Sequence, residues 1–166
     1  MSIANLRTET AKTTFAHLPV PSQREIIYMG YTHYWTRRDP EEWSMAWPQV
    51  VVCAKEIIKA AREKGIVVIG LHKDDPIVNE EEIVFNGDPS HETFHLSKRL
   101  PDFDFCKTAR KPYDAVVTAI LLCAAVLAEE GIRVSSDGYW DDWSEGREIV
   151  QELFPEFQLA PKLIDN

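Results

Sequence analysis

Cysteine is scarce. Cys53, Cys106 and Cys123 are odd in number, unpatterned and set in apolar or helical surroundings, and no CxxC pair is present. That argues against a disulfide scaffold or a thiolate zinc site and for a reducing compartment. Basic residues are also in the minority, with 18 Lys and Arg against 27 Asp and Glu for a net charge of −9. A protein that coats long DNA or RNA needs net positive surface to displace counterions, so no long nucleic acid is expected as a partner. The longest apolar run, Ala119 to Ala128, falls short of the ~20 residues that span a bilayer. The stretch MSIANLRTETAKTTFAHLPVPS has no apolar h-region, so neither a signal peptide nor a membrane partner is expected. Internal repeats and low-complexity segments are missing as well.

What is present is ordinary for a folded domain: 166 residues, 45% hydrophobic and 27% charged. A chain of this size buries roughly 70% of its extended surface around one core. Residues 1–25, rich in Thr, Ala and Pro and without a period, read as an N-terminal arm, and 26–166 as a single domain.

Ile26 to Trp35 is rich in β-branched and aromatic residues and reads as a strand, with Tyr31, His33 and Trp35 on one face and Thr32 and Tyr34 on the other. Asp39 followed by Pro40 starts a helix that Gly65 stops, with Pro48 expected to kink or divide it. IVVIG reads as a covered strand, residues 71–82 as an acidic loop, and EIVFNG as a strand turning at Asn86-Gly87 into HETFHLSK. RLPDFDF reads as a loop. Pro112 and Asp114 then open a helix, apolar nearly all round from Ala115 to Ala128, expected at the centre of the molecule or of an oligomer. IRVSS is a last strand, and Asp137-Gly138 turns into an aromatic, acidic helix ending at Pro155. This order predicts an α+β fold of ferredoxin-like, split β-α-β character. Helices cover one face of an antiparallel or mixed sheet, with an additional strand and a C-terminal helix. The other face would carry His33, His91, Thr93, His95 and Ser135.

Chemistry concentrates in Cys106 to Asp114, CKTARKPYD. Lys107, Arg110 and Lys111 just before a helix N-terminus suit an anion, phosphate above all, although a solvated basic loop has the same composition. No GxxxxGK[ST] accompanies them, which removes a P-loop. Tyr31, Trp35 and Tyr113 have faces on which a base can stack, and His33, Thr93, Ser135, Ser136 and Asp137 supply polar contacts. Core packing is the competing role for the aromatics, and helix capping for Asp137. Nearby cations would lower the pKa of the Cys106 thiol. An enzyme alternative takes His33, His91 and His95, with Asp137 or Asp141, as a metal-dependent phosphoesterase or nuclease site. His91-Glu-Thr93 matches one His-x-Thr element, but neither His33-Tyr-Trp nor His72-Lys-Asp supplies the second one that two-histidine phosphoesterases use.

Gly30-Tyr-Thr-His-Tyr-Trp35, His91-Glu-Thr-Phe94, Phe105-Cys-Lys-Thr-Ala-Arg-Lys-Pro-Tyr-Asp114 and Ser135-Ser-Asp-Gly138 occur in this order. Together they resemble a family of small uncharacterised proteins of tailed bacteriophages and bacteria, over about residues 29 to 150. The resemblance leaves residues 1–28 as an extension and implies, by analogy, action on host metabolism or host defence in the host cytoplasm. The resulting expectation is a homo-oligomeric protein, without a cofactor, that binds and sequesters a phosphorylated nucleotide-type ligand. A module that blocks a host factor through its acidic surface is the further alternative.

Overall fold

The computed structural model describes residues 30–165. The expected arm and the first residues of the first strand therefore lie outside the described residues. The elements are β1 (Thr32–Arg37), α1 (Pro40–Glu63), β2 (Val68–Ile69), β3 (Ile77–Val78), β4 (Glu82–Gly87), β5 (Phe94–Ser97), β6 (Phe103–Lys107), α2 (Asp114–Leu127), β7 (Ile132–Ser136) and α3 (Ser144–Leu153). Short 3₁₀ turns at Trp140–Trp143 and Pro161–Leu163 complete the chain. The fold is α+β, as the pattern of elements predicts.

Asp39 caps α1 by accepting from the backbone N–H of Glu41 at 2.9 Å and of Glu42 at 3.2 Å. Of the two effects expected of Pro48, division does not occur: α1 runs 24 residues through it as one helix. Pro48 sits on the exposed face, and the opposite face is fixed by burial of Trp43, Trp47, Val50 and Val51, which outweighs the one ladder hydrogen bond the proline removes. Gly65 follows the helix at φ 85°, the left-handed conformation that a glycine stop supplies.

The strands form two sheets where one was expected. In the first, β1 lies between β6 and β7 and is antiparallel to both. Strands β6 and β7 therefore run parallel, joined by α2, and β1 splits this β-α-β unit. In the second sheet β4 pairs with β2, β3 and β5. Both β3 and β6 arise from stretches that read as loops, and Asn86-Gly87 ends β4 as strand residues paired with Ile69 and Val68.

Helix α2 is the centre of the core: every residue from Ala115 to Ala125 is buried. It packs against α1 and α3 of its own chain, so its all-round apolarity is satisfied within one subunit. The α2–α3 crossing is close at Gly146, where a Cβ would lie 2.2 Å from Thr118 Oγ1 and 2.9 Å from the Ala119 amide nitrogen. That approach sets the relative height of the α2 and α3 N-terminal ends, between which the candidate site lies.

Candidate functional site

The loop between β6 and α2 is tied to the start of β1. The N–H groups of Thr108 and Ala109 both donate to the Tyr31 carbonyl, at 3.1 and 3.2 Å. Lys111 N–H donates to the Thr108 carbonyl at 3.0 Å and Asp114 N–H to the Lys111 carbonyl at 2.8 Å. Between these ties Ala109 (φ 49°) and Arg110 (φ 55°) are both left-handed. Each non-glycine residue held there costs about 1–2 kcal/mol, which the surrounding hydrogen bonds must offset. The turn lays the Arg110 guanidinium over the Tyr31 ring, 3.8 Å from its centroid, and brings Nη1 within 3.1 Å of Asp142 Oδ1.

Beneath the loop runs a buried polar chain. Asp114, the first residue of α2, accepts from His33 Nε2 at 2.7 Å and from the Thr108 hydroxyl. His33 Nδ1 lies 3.0 Å from Ser136 Oγ. Ser136 Oγ also faces the Gly138 N–H at 2.9 Å and the Trp143 indole N–H at 3.3 Å, and both of these can only donate. The network therefore assigns the protons: Ser136 O–H donates to Nδ1, and Nε2–H donates to Asp114. His33 is fully buried, with Tyr31 and Trp143 edge-on to its ring at 4.9 Å each. A serine–histidine–aspartate order invites a hydrolase reading, but the Ser136 lone pairs are engaged and the imidazole is sealed. The chain braces β1, β7 and the start of α2 against one another.

The brace underlies a cleft of about 720 Å³. Arg110, Lys111 and Asp114 line it from the loop and first turn of α2, Asp141 and Asp142 from the turn before α3, and Glu145 from the first turn of α3. Thr118 and Gly146 line it where the two helices cross. Its volume falls within the ~300–1,000 Å³ of small-molecule sites. No side chain caps the α2 N-terminus; its first-turn N–H groups, from Asp114 to Val117, donate instead to the carbonyls of Lys111, Pro112 and Tyr113.

The structure brings together Tyr31, His33, Arg110, Lys111 and Ser136 of the sequence-predicted residues, and separates the others. Lys107 is in β6, its N–H bonded to Glu92 Oε2 at 2.8 Å, and does not line the cleft. Trp35 and Tyr113 are 1% and 0% exposed, so their faces are core rather than an open stacking platform. Trp35 packs on Phe94, and Tyr113 O–H donates to the Glu92 carbonyl at 2.6 Å. Tyr31, 2% exposed, stacks on the Arg110 guanidinium. Asp137 closes the start of β1, accepting from Thr32 N–H at 3.0 Å and the Tyr34 hydroxyl at 3.1 Å. Ser135 pairs with Tyr34 and bridges to Asp165. Thr93 accepts from the Asn86 amide at 3.3 Å.

The single open face carrying His33, His91, Thr93, His95 and Ser135 does not form. His33 points into the core of the first sheet, whereas His91 is exposed in the β4–β5 loop and His95 is exposed on β5 against Glu82 at 3.1 Å. Among the described residues no three His, Cys, Asp or Glu side chains group so as to hold a metal ion. The Cys106 thiol is likewise not activated: burial first, then Glu92 and Asp114, push its pKa up. Burial and Asp114 also push the Tyr31 phenol up.

Thr108, Thr118, Asp142 and Glu145 were not identifiable as site residues from sequence, and Asp114 carried only a helix-dipole signal. Asp142 sits in WDDW, 32 residues from the arginine it pairs with, and nothing local connects the two. Compared with known proteins, the chain matches no protein-family model, no curated protein and no solved structure.

Proposed function

We propose that the protein binds a phosphorylated, nucleotide-type small molecule in the cleft between the 108–113 loop and α3, holding it without turning it over. The observation that carries this reading is the placement of Arg110 and Lys111 together on the wall of a 720 Å³ cleft. The guanidinium is a planar fork of N–H donors suited to phosphate, and one of them is already taken by Asp142. Stacking on Tyr31 and the rigid backbone turn hold that fork in place before a ligand arrives, so little ordering entropy remains to be lost on binding. The resemblance to phage proteins supplies the biological setting, sequestration of a nucleotide signal of host defence. The phosphoesterase alternative gains nothing from the geometry, because its three histidines do not converge.

A thermal-shift panel of mono-, di- and cyclic nucleotides, run with and without divalent metal, tests the reading. At least one member raises the melting temperature without metal, is recovered intact, and loses its effect in Arg110→Ala. A panel without any shift refutes nucleotide binding, and an unchanged shift in Arg110→Ala refutes binding in this cleft; recovery of a hydrolysed ligand refutes holding without turnover.

A further inference from the structure

Resting on that reading, we infer that the cleft selects a ligand with a single phosphate and a sugar diol, and discriminates against nucleoside di- and triphosphates. Among the described residues, the two cations that line it, Arg110 and Lys111, face four carboxylates, those of Asp114, Asp141, Asp142 and Glu145. A purely cationic site would welcome every added phosphate. Here the cationic part is small, and a longer phosphate chain extends over acidic groups.

Asp142 decides how hard this bears on the ligand. Its Oδ1 is 3.1 Å from Arg110 Nη1, so a phosphate on that guanidinium lies beside a carboxylate. Asp142 cannot simply swing aside, because its Oδ2 accepts the Tyr139 N–H at 2.8 Å and the pair forms a reciprocal cap on the Trp140–Trp143 turn. One phosphate can share the Arg110 fork with Asp142, using the donors Asp142 leaves. A second or third phosphate meets no further cation among the described residues that line the cleft, and like charges brought together in a confined site are strongly unfavourable.

The same carboxylates are acceptors that need donors. A vicinal sugar diol presents two neutral O–H groups, and an acidic side chain bonded to a ribose hydroxyl is the usual means of holding that sugar in nucleotide sites. Asp141 and Glu145, both exposed to the cleft, are positioned for it. Lys111 and Arg110 take the phosphate and the α3 side takes the sugar.

Calorimetric titration of the full chain, in EDTA and again in Mg²⁺, tests this with nucleoside mono-, di- and triphosphates of each base, ribose 5-phosphate and 2′,3′-dideoxy monophosphates. The monophosphate of the preferred base binds about tenfold or more tighter than its triphosphate, and removing the diol loses about tenfold. Asp141→Asn with Glu145→Gln weakens the monophosphate and strengthens the triphosphate. Affinity that rises with phosphate number, an equal affinity for the dideoxy compound, or a Mg²⁺-dependent preference for triphosphate overturns the inference. In those cases nucleotide binding itself still stands if Arg110→Ala abolishes it. Failure of every compound to bind defeats both.

Discussion

Removing the Asp114 carboxylate should damage the protein more than its half-open position suggests. The Asp114→Ala substitution leaves the His33 Nε2–H and the Thr108 hydroxyl, both on residues 0% exposed, without their acceptor. A buried donor left unsatisfied costs about 1–3 kcal/mol, so two cost about 2–6 kcal/mol. Loss of a carboxylate from the first turn of α2 adds about 0.3–1 kcal/mol through the helix dipole. The Asp114 side chain is 15% exposed, so water from the cleft can enter the vacated space and relieve part of this. The expected loss is then about 2–4 kcal/mol, or roughly 6–15 °C in melting temperature for a domain of this size. Asp114→Asn retains one carbonyl oxygen for His33 and should lose about 1–2 kcal/mol. Urea unfolding with unchanged m-value is the measurement, with Thr108→Val as the second arm of a double-mutant cycle. The double variant should be about 1 kcal/mol less damaged than the sum of the two singles, because the orphaned hydroxyl is gone. An Asp114→Ala loss below about 1 kcal/mol, or strict additivity with Thr108→Val, refutes the brace.

Other consequences follow from the same contacts. Gly146→Ala gains about 1 kcal/mol of helix propensity, yet its Cβ meets Thr118 Oγ1 at 2.2 Å and backbone at 2.9 Å. Overpacking wins, and a net loss of about 1–2 kcal/mol in chemical denaturation is expected, with a stabilised variant counting against the α2–α3 crossing. Ala109→Gly relieves about 1–2 kcal/mol of left-handed strain and loses about 0.4–1 kcal/mol to unfolded-chain entropy. Stability should be unchanged or rise by up to about 1.6 kcal/mol in thermal melts, and a clear loss would show the turn to be unstrained. Burial raises the pKa of Cys106, Tyr31 and Tyr113. The unfolded chain therefore ionises first, beginning near the ordinary values of 9.0 and 10.0, and binds fewer protons than the folded one. The contribution of these groups is full below about pH 9 and is lost above the ordinary value of each, from 9.0 for Cys106 and 10.0 for the tyrosines, by about 1.4 kcal/mol per pH unit for each group. Alkaline denaturation curves check this, and a flat profile from pH 9 to 11 would contradict the burial of these groups.

Much of the secondary structure was legible because its signals are local. Asp39-Pro40 and Gly65 bracket α1, and the apolar run after Asp114 marks a helix that no solvent-facing position could tolerate. Strand β6 was not legible. In Phe103-Asp-Phe-Cys-Lys107 the exposed positions carry the two phenylalanines, 55% and 48% exposed, while the fully buried one is Cys106. The binary pattern points its aromatics at a core they do not reach. Phe103 and Phe105 instead cluster with Tyr34 of β1, at 6.1 and 6.4 Å between ring centroids, on the outer face of the sheet.

For the candidate site the division is similar. The basic stretch Arg110-Lys111 and the helix it precedes were set by sequence, since residue type and helix start are read within a few positions. Which of the three cations serve the cleft was decided by β6, whose pairing with β1 takes Lys107 away from it. Which histidine matters was decided by β1 lying between β6 and β7, a pairing that puts His33 between Ser136 and Asp114, 103 and 81 residues distant. The sequence by itself determined an acidic α+β domain with one basic exception. Only the tertiary structure decided that this exception is faced by Asp141, Asp142 and Glu145, because charges distant along the chain come together through packing at Gly146 and Thr118.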